Sequence, residues 1–107
     1  MRLVGVDAPE TGQLRPAEPF HEEATDFVRR LVERQRVRLE PDRLQNDRDR
    51  YGRLLRYVWL SDGRLLNAEI IRAGWAEAYR HLRYERRAEF LRLDREARAA
   101  RRGMWAR

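Results

Sequence analysis

Two carboxylates lie close together near the N-terminus, in the sequence "VDAPET". Asp7 and Glu10 are three residues apart on either side of Pro9, and Arg2 precedes them by a short apolar run. Across a turn, this spacing could place both carboxylates near one metal ion, with room for a water molecule that a carboxylate could deprotonate. Without other context, such a proline turn is more often an Asx-type turn with a solvated acid. The sequence alone therefore leaves two interpretations, an ordinary turn and one half of a site.

The remaining charge of the chain is dominated by arginine. All 24 basic residues in the Lys+Arg count are arginine, and the formal net charge of the 107 residues is +6. A planar guanidinium suits bidentate phosphate contact better than an ammonium group does, and a positive surplus favours a polyanionic partner. Genomic base composition is the simpler explanation for most of these arginines. Composition thus indicates nucleic acid as a class of partner without locating the contact.

Several classes of site are excluded by composition. The chain has no cysteine, which rules out a disulfide framework, a thiolate zinc site and a cysteine nucleophile. The longest apolar runs, such as "YVWL", are too short to cross a bilayer, so no membrane partner is expected. No basic and apolar leader with a cleavage site is recognised, and the compartment stays open.

The elements that must position these residues can be predicted from periodicity. "RLVGV" is typical of a strand end, and the spacing of apolar residues predicts a helix from about Pro19 to Arg34. "RVRLEP" alternates as a short strand with Val37 and Leu39 on one face. "LLRYVWLSDGRLLN" predicts a strand, a turn and a brief return strand.

Two further helices are predicted in the C-terminal half. "NAEIIRAG" indicates a short helix that Asn67 caps and Gly74 ends. A long helix is expected from about Tyr84 to Arg102, with Gly103 at its end. Its apolar residues are expected to face inward, namely Phe90, Leu91, Leu93, Ala97 and Ala100. The fold class is therefore α+β, with about three strands and three helices, and so small a sheet would leave edges open.

Four motifs, in this order, resemble those of the staphylococcal nuclease, or thermonuclease, family. They are "RLVGVDAPET", "DRYGR", "LLNAEIIRAGWAEAY" and "EARAARRGMW", and together they extend from Arg2 to Trp105. The resemblance implies a five-stranded barrel of the oligonucleotide-binding type, the OB-fold, with three helices. It also implies a calcium-dependent phosphodiesterase that hydrolyses DNA and RNA, with single strands preferred.

The resemblance implies roles for particular residues. Arg2 and Arg53 match the two phosphate-binding arginines of the family, and Asp7 matches a calcium-binding aspartate. Ala8 occupies a position whose backbone carbonyl also reaches Ca²⁺, which requires no particular side chain. Glu10 matches the glutamate that orients or deprotonates the attacking water.

Tyr51 and Tyr84 fall near positions that would pack on the nucleotide. One departure from the family pattern concerns the N-terminus, because the family has two further strands and a "DGDT"-like segment before the arginine that Arg2 matches. That segment supplies another calcium-binding aspartate. We therefore expect an incomplete barrel and an N-terminally truncated thermonuclease-like domain over residues 1–107.

Two functions from different classes remain open at this point. A nuclease is the first, and a non-catalytic nucleic-acid-binding or interaction module of nuclease descent is the alternative, since the charge of +6 would supply salt-dependent, sequence-tolerant binding.

A monomer is expected, and a dimer that completes the barrel with strands from a second copy is the other possibility, because an open sheet edge invites pairing.

Overall fold

A computed structural model of the protein describes residues 1–7 and 20–106. The elements in this part of the chain are β1 (Arg2–Leu3), β2 (Val6–Asp7), α1 (His21–Val32), β3 (Arg38–Glu40), β4 (Leu55–Trp59), α2 (Leu66–Arg72), β5 (Glu77–Ala78), α3 (Arg87–Ala99) and a 3₁₀ turn (Gly103–Trp105). The class is α+β with three α-helices, as the sequence predicts. None of these helices combines the length and the apolar character that a membrane crossing would require.

The described strands form two small sheets. The first has the order β1-β4-β3, with β1 parallel to β4 and β3 antiparallel to it. The second pairs β2 with β5 in antiparallel register. Five short strands are therefore present where about three were predicted, and the closed OB-type barrel is not confirmed by the residues described.

The core lies between the two sheets and the helices α2 and α3. Ile70 and Ile71 from α2 are buried against Phe90 and Leu93 from α3, as predicted from their spacing. Ala100, also predicted to face inward, is exposed. It lies one residue beyond the end of α3, where the helix stops covering the sheet.

Helix α1 confirms the local signals in its sequence. It runs from His21 to Val32, close to the predicted range, and its first turn contains Glu22 and Glu23. Arginines lie in its last turn, so the side-chain charges complement the helix dipole at both ends. The predicted first residue of this helix, Pro19, lies outside the described residues.

Helix α3 is shorter than predicted at both ends. It begins at Arg87 rather than near Tyr84, whose side chain is buried in the core. At the other end, Arg101 adopts a φ of +53°, and the N–H groups of Arg101 and Arg102 donate to the carbonyls of Arg98 and Ala97, which closes the helix after Ala99. The prediction that Gly103 ends this helix is wrong, because Gly103 lies four residues beyond Ala99 and begins the 3₁₀ turn.

The predicted return strand after the turn at Asp62 and Gly63 is reduced to one residue pair. Trp59 and Leu65 form an isolated antiparallel bridge. The strand cannot continue, because α2 begins at Leu66.

Asn67 was predicted as a helix cap, and this prediction is wrong. It lies inside α2, fully buried, and its carbonyl oxygen accepts a hydrogen bond from the Val58 N–H at 3.0 Å. Its amide nitrogen donates to the carbonyls of Val4 and Arg56, at 3.0 and 3.2 Å. An amide has both donors and an acceptor, so one side chain satisfies backbone groups of β4 and of the residue after β1.

Gly5 forms the bend that carries the chain from the first sheet into the second. Its φ is +74°, and a Cβ atom at this position would lie 2.4 Å from a ring carbon of Tyr84 and 2.9 Å from Phe90. Only glycine fits such a conformation against two aromatic rings. This bend therefore fixes the distance between β1, which carries Arg2, and β2, which carries Asp7.

Candidate active site

Arg2 lies in β1, beside strand β4. Its backbone N–H donates to the Leu54 carbonyl at 2.7 Å. Its Nη2 donates a hydrogen bond to the Tyr79 hydroxyl, and its Cζ lies 5.6 Å from the centre of the Tyr79 ring. The predicted phosphate-binding arginine is thus attached to β4 by its backbone and to Tyr79 by its guanidinium.

Arg53 lies two residues before β4, the strand that pairs with β1. It directly precedes Leu54, the residue whose carbonyl accepts from Arg2, and Leu55 is the register partner of Arg2. The parallel pairing of β1 and β4 therefore brings the backbones of these two predicted arginines to the same end of the first sheet.

The loop of residues 49–53, which leads into β4, is ordered by the carboxylate of Asp49. Asp49 accepts hydrogen bonds from the N–H groups of Tyr51 and Arg53, both at 2.9 Å, and from the Arg53 Nε at 2.7 Å. Desolvation works to raise the pKa of Asp49, but these hydrogen bonds and the Arg53 charge outweigh it and hold the pKa below its ordinary value of 3.8. Asp49 is therefore ionised near neutral pH and holds the loop through three contacts.

Tyr51 is the most exposed aromatic side chain near the two arginines, with 69% of its surface accessible. The guanidinium of Arg50 lies 4.9 Å from the centre of its ring, and that of Arg53 lies 5.4 Å from it. An exposed ring beside two cations is suited to contact both a base and a phosphate.

Asp7 lies in β2, half-buried, directly opposite Glu77 in β5. Opposed residues of an antiparallel pair project to the same face, where two like charges repel. Glu77 accepts a hydrogen bond from the Arg98 Nη2 at 2.7 Å. The arginine thus offsets the negative charge that Glu77 would otherwise place beside Asp7.

Arg98 belongs to a cluster that joins α3 to β5. Its Nε donates to the buried carboxylate of Asp94, whose other oxygen accepts the Ala78 N–H at 2.9 Å. The hydrogen bond to Asp94, together with the contact to Glu77, raises the pKa of Arg98 despite desolvation. Its guanidinium also lies 3.9 Å from the centre of the Trp105 ring. The helix and the C-terminal turn therefore fix the strand that faces Asp7.

Tyr84 has a different environment from Tyr51. It is 3% exposed, its ring packs on Phe90 with centroids 5.8 Å apart, and its hydroxyl donates to the Tyr79 carbonyl at 2.7 Å. Burial raises its pKa to about 12. A ring in this position is covered by the core, which does not suit the predicted packing on a nucleotide, and its observed contact is with Tyr79.

Ala8 and Glu10, predicted to contact Ca²⁺ and water, lie outside the described residues. Within residues 1–7 and 20–106, no group of three or more histidine, cysteine or acidic side chains is arranged to hold a metal ion. Calcium takes six to eight oxygen ligands. Asp7 supplies oxygen donors of the right chemistry, but the described residues alone do not complete a calcium shell.

A comparison with protein-family models gives a match over residues 1–107, the whole chain, to the family described as staphylococcal nuclease homologue. The chain belongs to this family. The resemblance of its four motifs is thereby confirmed.

Several proteins are similar in sequence to this chain over most of its length. A thermonuclease of Staphylococcus hyicus is 37% identical over 110 residues, which cover 99% of this chain and 62% of that protein. A thermonuclease of Staphylococcus intermedius is 43% identical over 79 residues, or 73% of this chain and 45% of the relative. The protein ParB of Escherichia coli is 36% identical over 99% of this chain and 59% of its own length. The chain thus spans about half to three-fifths of these relatives.

Three residues around the predicted site were not found by sequence reasoning. Tyr79 contacts Arg2, Asp49 orders the Arg53 loop, and Glu77 faces Asp7. Tyr79 and Glu77 lie within the family motif "LLNAEIIRAGWAEAY", and Asp49 is the first residue of the motif "DRYGR". These positions could have been marked as candidates, but their partners could not have been inferred from spacing.

Proposed function

We propose that this chain is a nuclease that hydrolyses phosphodiester bonds in DNA and RNA, with single strands preferred, in a calcium-dependent reaction. The observation that carries the proposal is the pairing of β1 with β4, which joins Arg2 to the residue after Arg53. Membership of a family whose relatives include proteins named thermonuclease and probable endonuclease supports it.

The two arginines provide the charge that this reaction requires. Phosphodiester hydrolysis concentrates negative charge on the phosphoryl oxygens, so preorganised cations lower its barrier. Each guanidinium can form two parallel hydrogen bonds with a phosphate, whereas a lysine would offer a point charge. Asp49 contacts Arg53 through Nε. This side-on contact orients the guanidinium and leaves its Nη nitrogens for the substrate.

The carboxylates have separate roles in the proposed reaction. Asp7, with the backbone carbonyl of Ala8, would hold Ca²⁺, a hard cation that stabilises charge on phosphoryl oxygens when bound. Glu10 would orient a water molecule and remove its proton as general base. Tyr51 would pack on a base beside the phosphate. The roles of Ala8 and Glu10 rest on the family motif.

Cleavage of single-stranded DNA by the purified chain, with Ca²⁺ and with a chelator, tests the proposal. Glu10→Ala and Arg53→Ala are each expected to reduce the calcium-dependent rate by about 100-fold, the loss typical of one catalytic electrostatic group. Arg95→Ala, which removes an exposed arginine of α3, is the matched control and should retain the rate. If the chain cuts DNA and both site variants cut it as fast, the assignment is wrong.

A non-catalytic nucleic-acid-binding module is the second candidate. The observation in its favour is the formal net charge of +6, in which all 24 basic residues of the Lys+Arg count are arginine. Binding would then come from the positive charge, with an affinity that falls steeply with salt. Chelator-insensitive binding without any cleavage product would select this function over the first.

A further inference from the structure

We propose that Tyr79 is a positioning residue for Arg2, whose guanidinium it holds in the orientation that meets the scissile phosphate. This inference rests on the proposed role of Arg2 in phosphodiester hydrolysis. It concerns a residue outside the set of two arginines, two carboxylates and a backbone carbonyl that the family motifs indicate.

The contact between the two side chains is centred on the phenol hydroxyl. The Arg2 Nη2 donates a hydrogen bond to the Tyr79 hydroxyl, and the Arg2 Cζ lies 5.6 Å from the centre of the Tyr79 ring. The guanidinium therefore lies beyond the hydroxyl end of the ring rather than over its face, and the hydrogen bond restricts its rotation. A long arginine side chain has many rotamers, so this restriction reduces the entropy lost when phosphate binds.

Tyr79 can orient another side chain because its own backbone is fixed. Its N–H donates to the Gly5 carbonyl at 3.0 Å, and its carbonyl accepts the Tyr84 hydroxyl at 2.7 Å. Tyr84 is buried against Phe90, within the core. Tyr79 and Tyr84 thereby connect the Arg2 guanidinium to the core through hydrogen bonds.

The chemistry of the tyrosine suits a phosphate-binding arginine. A phenol accepts the guanidinium hydrogen bond without neutralising its charge, and a carboxylate in the same place would compete with phosphate for that charge. Tyr79 therefore orients Arg2 while the electrostatic attraction for an anion is preserved. A contact that served stability alone would not require the Arg2 guanidinium to keep one orientation.

The test compares Tyr79→Phe, which removes the hydroxyl and keeps the ring, with Tyr79→Leu, which removes both. We measure kcat and KM for calcium-dependent cleavage of single-stranded DNA, together with the melting temperature. Tyr79→Phe should lower kcat about tenfold and Tyr79→Leu about 100-fold, with KM nearly unchanged, because misplacing a catalytic group costs rate at this scale. The melting temperature of Tyr79→Phe should stay close to that of the unchanged chain.

A matched control and a double variant separate positioning from stability. Tyr57→Phe removes a buried hydroxyl that donates to Asp42, away from Arg2, and should lower the melting temperature while kcat is retained. In the Arg2→Ala background, Tyr79→Phe should cause no further loss of kcat, because the two residues act as one unit. Equal fractional losses with and without Arg2 would overturn the proposal.

Rotation of the Arg2 guanidinium, followed by NMR, gives a readout that does not depend on cleavage. Its Nη signals, assigned by their loss in Arg2→Ala, should show slow rotation in the unchanged chain and fast rotation in Tyr79→Phe. Fast rotation in the unchanged chain would overturn the positioning role. Retained kcat in Tyr79→Phe with a large loss in Arg2→Ala would also overturn it, and would leave the proposed nuclease function intact. Unaltered cleavage in Arg2→Ala would instead contradict the catalytic role on which the inference rests.

Discussion

The guanidinium groups of the two predicted phosphate-binding arginines contact different kinds of side chain. Arg2 lies in a strand, and its guanidinium contacts Tyr79, a neutral side chain whose backbone is fixed by the core. Arg53 lies at the end of an exposed loop, and its guanidinium contacts Asp49, a carboxylate four residues away. The contact with Tyr79 depends on tertiary packing, and the contact with Asp49 depends on local electrostatics. Perturbations of the core and of the loop should therefore affect the two arginines separately.

Replacing the glycine nearest to each arginine in the sequence, Gly5 for Arg2 and Gly52 for Arg53, gives the largest expected contrast. Gly5→Ala places a Cβ atom 2.4 Å from the Tyr84 ring at a φ of +74°, so it should lower the free energy of unfolding by about 3 kcal/mol or more. Gly52→Ala also has a positive φ, +81°, but no atom lies within 4 Å of the added Cβ. It should cost only about 1–2 kcal/mol. Urea unfolding of both variants measures the difference, and equal losses would contradict the assignment of Gly5 to the core.

Removing the loop carboxylate should affect activity more than stability. Asp49→Ala deletes three hydrogen bonds that order Tyr51 and Arg53, so we expect a loss of about tenfold in kcat from the misplaced guanidinium. Asp62→Ala is the matched control, because Asp62 accepts the same kinds of bond from the N–H and Nε of Arg64 in a distant turn. A similar loss of kcat in both variants would show that the Asp49 effect is not local to Arg53.

Acid should loosen the Arg53 loop by protonating Asp49. The folded pKa of Asp49 is depressed, so its stabilising contribution is complete above the ordinary value of 3.8 and is lost as pH falls through the lower folded value. NMR signals of the Tyr51 and Arg53 amides should therefore shift below about pH 3.8, and Asp49→Asn should abolish this step. A titration of these amides near neutral pH would contradict the assignment.

The smallest expected effect concerns the sheet edge. Within the described strands, β3 is at the edge of the first sheet, and Val37 and Leu39 beside and within it are 40% and 43% exposed. We expect the unchanged chain to be a monomer, so the mass measured by light scattering should be the same at two protein concentrations. A mass that rises with concentration would indicate that this edge pairs with a second copy, and Leu39→Lys should then reverse the association.

Local patterns predicted the helices because their signals lie within a few residues. The spacing of apolar side chains and the end charges defined α1, and Gly74 ended α2 with a φ of +83°. Asn67 shows the limit of such patterns. The donor and acceptor chemistry that makes asparagine a good cap also suits a buried bridge between strands, and only the tertiary fold selects between them.

The candidate site was predictable as a list of residues but not as an arrangement. Arg2, Asp7, Arg53 and Tyr51 were identified from motifs, and the structure describes all four. Tyr79, which contacts Arg2, lies 77 residues away from it, and β5 contains only two residues, so neither feature could be derived from periodicity. The roles proposed for Ala8 and Glu10 stay predictions.

A double-variant cycle over Arg2 and Arg53 tests most directly whether two differently held arginines serve one phosphate. We would measure kcat for calcium-dependent cleavage of single-stranded DNA by Arg2→Ala, Arg53→Ala and the combined variant. If both guanidinium groups stabilise the same transition state, the combined loss should fall short of the product of the single losses by at least about tenfold. Losses that multiply in full would show that the two arginines act independently and would contradict the account.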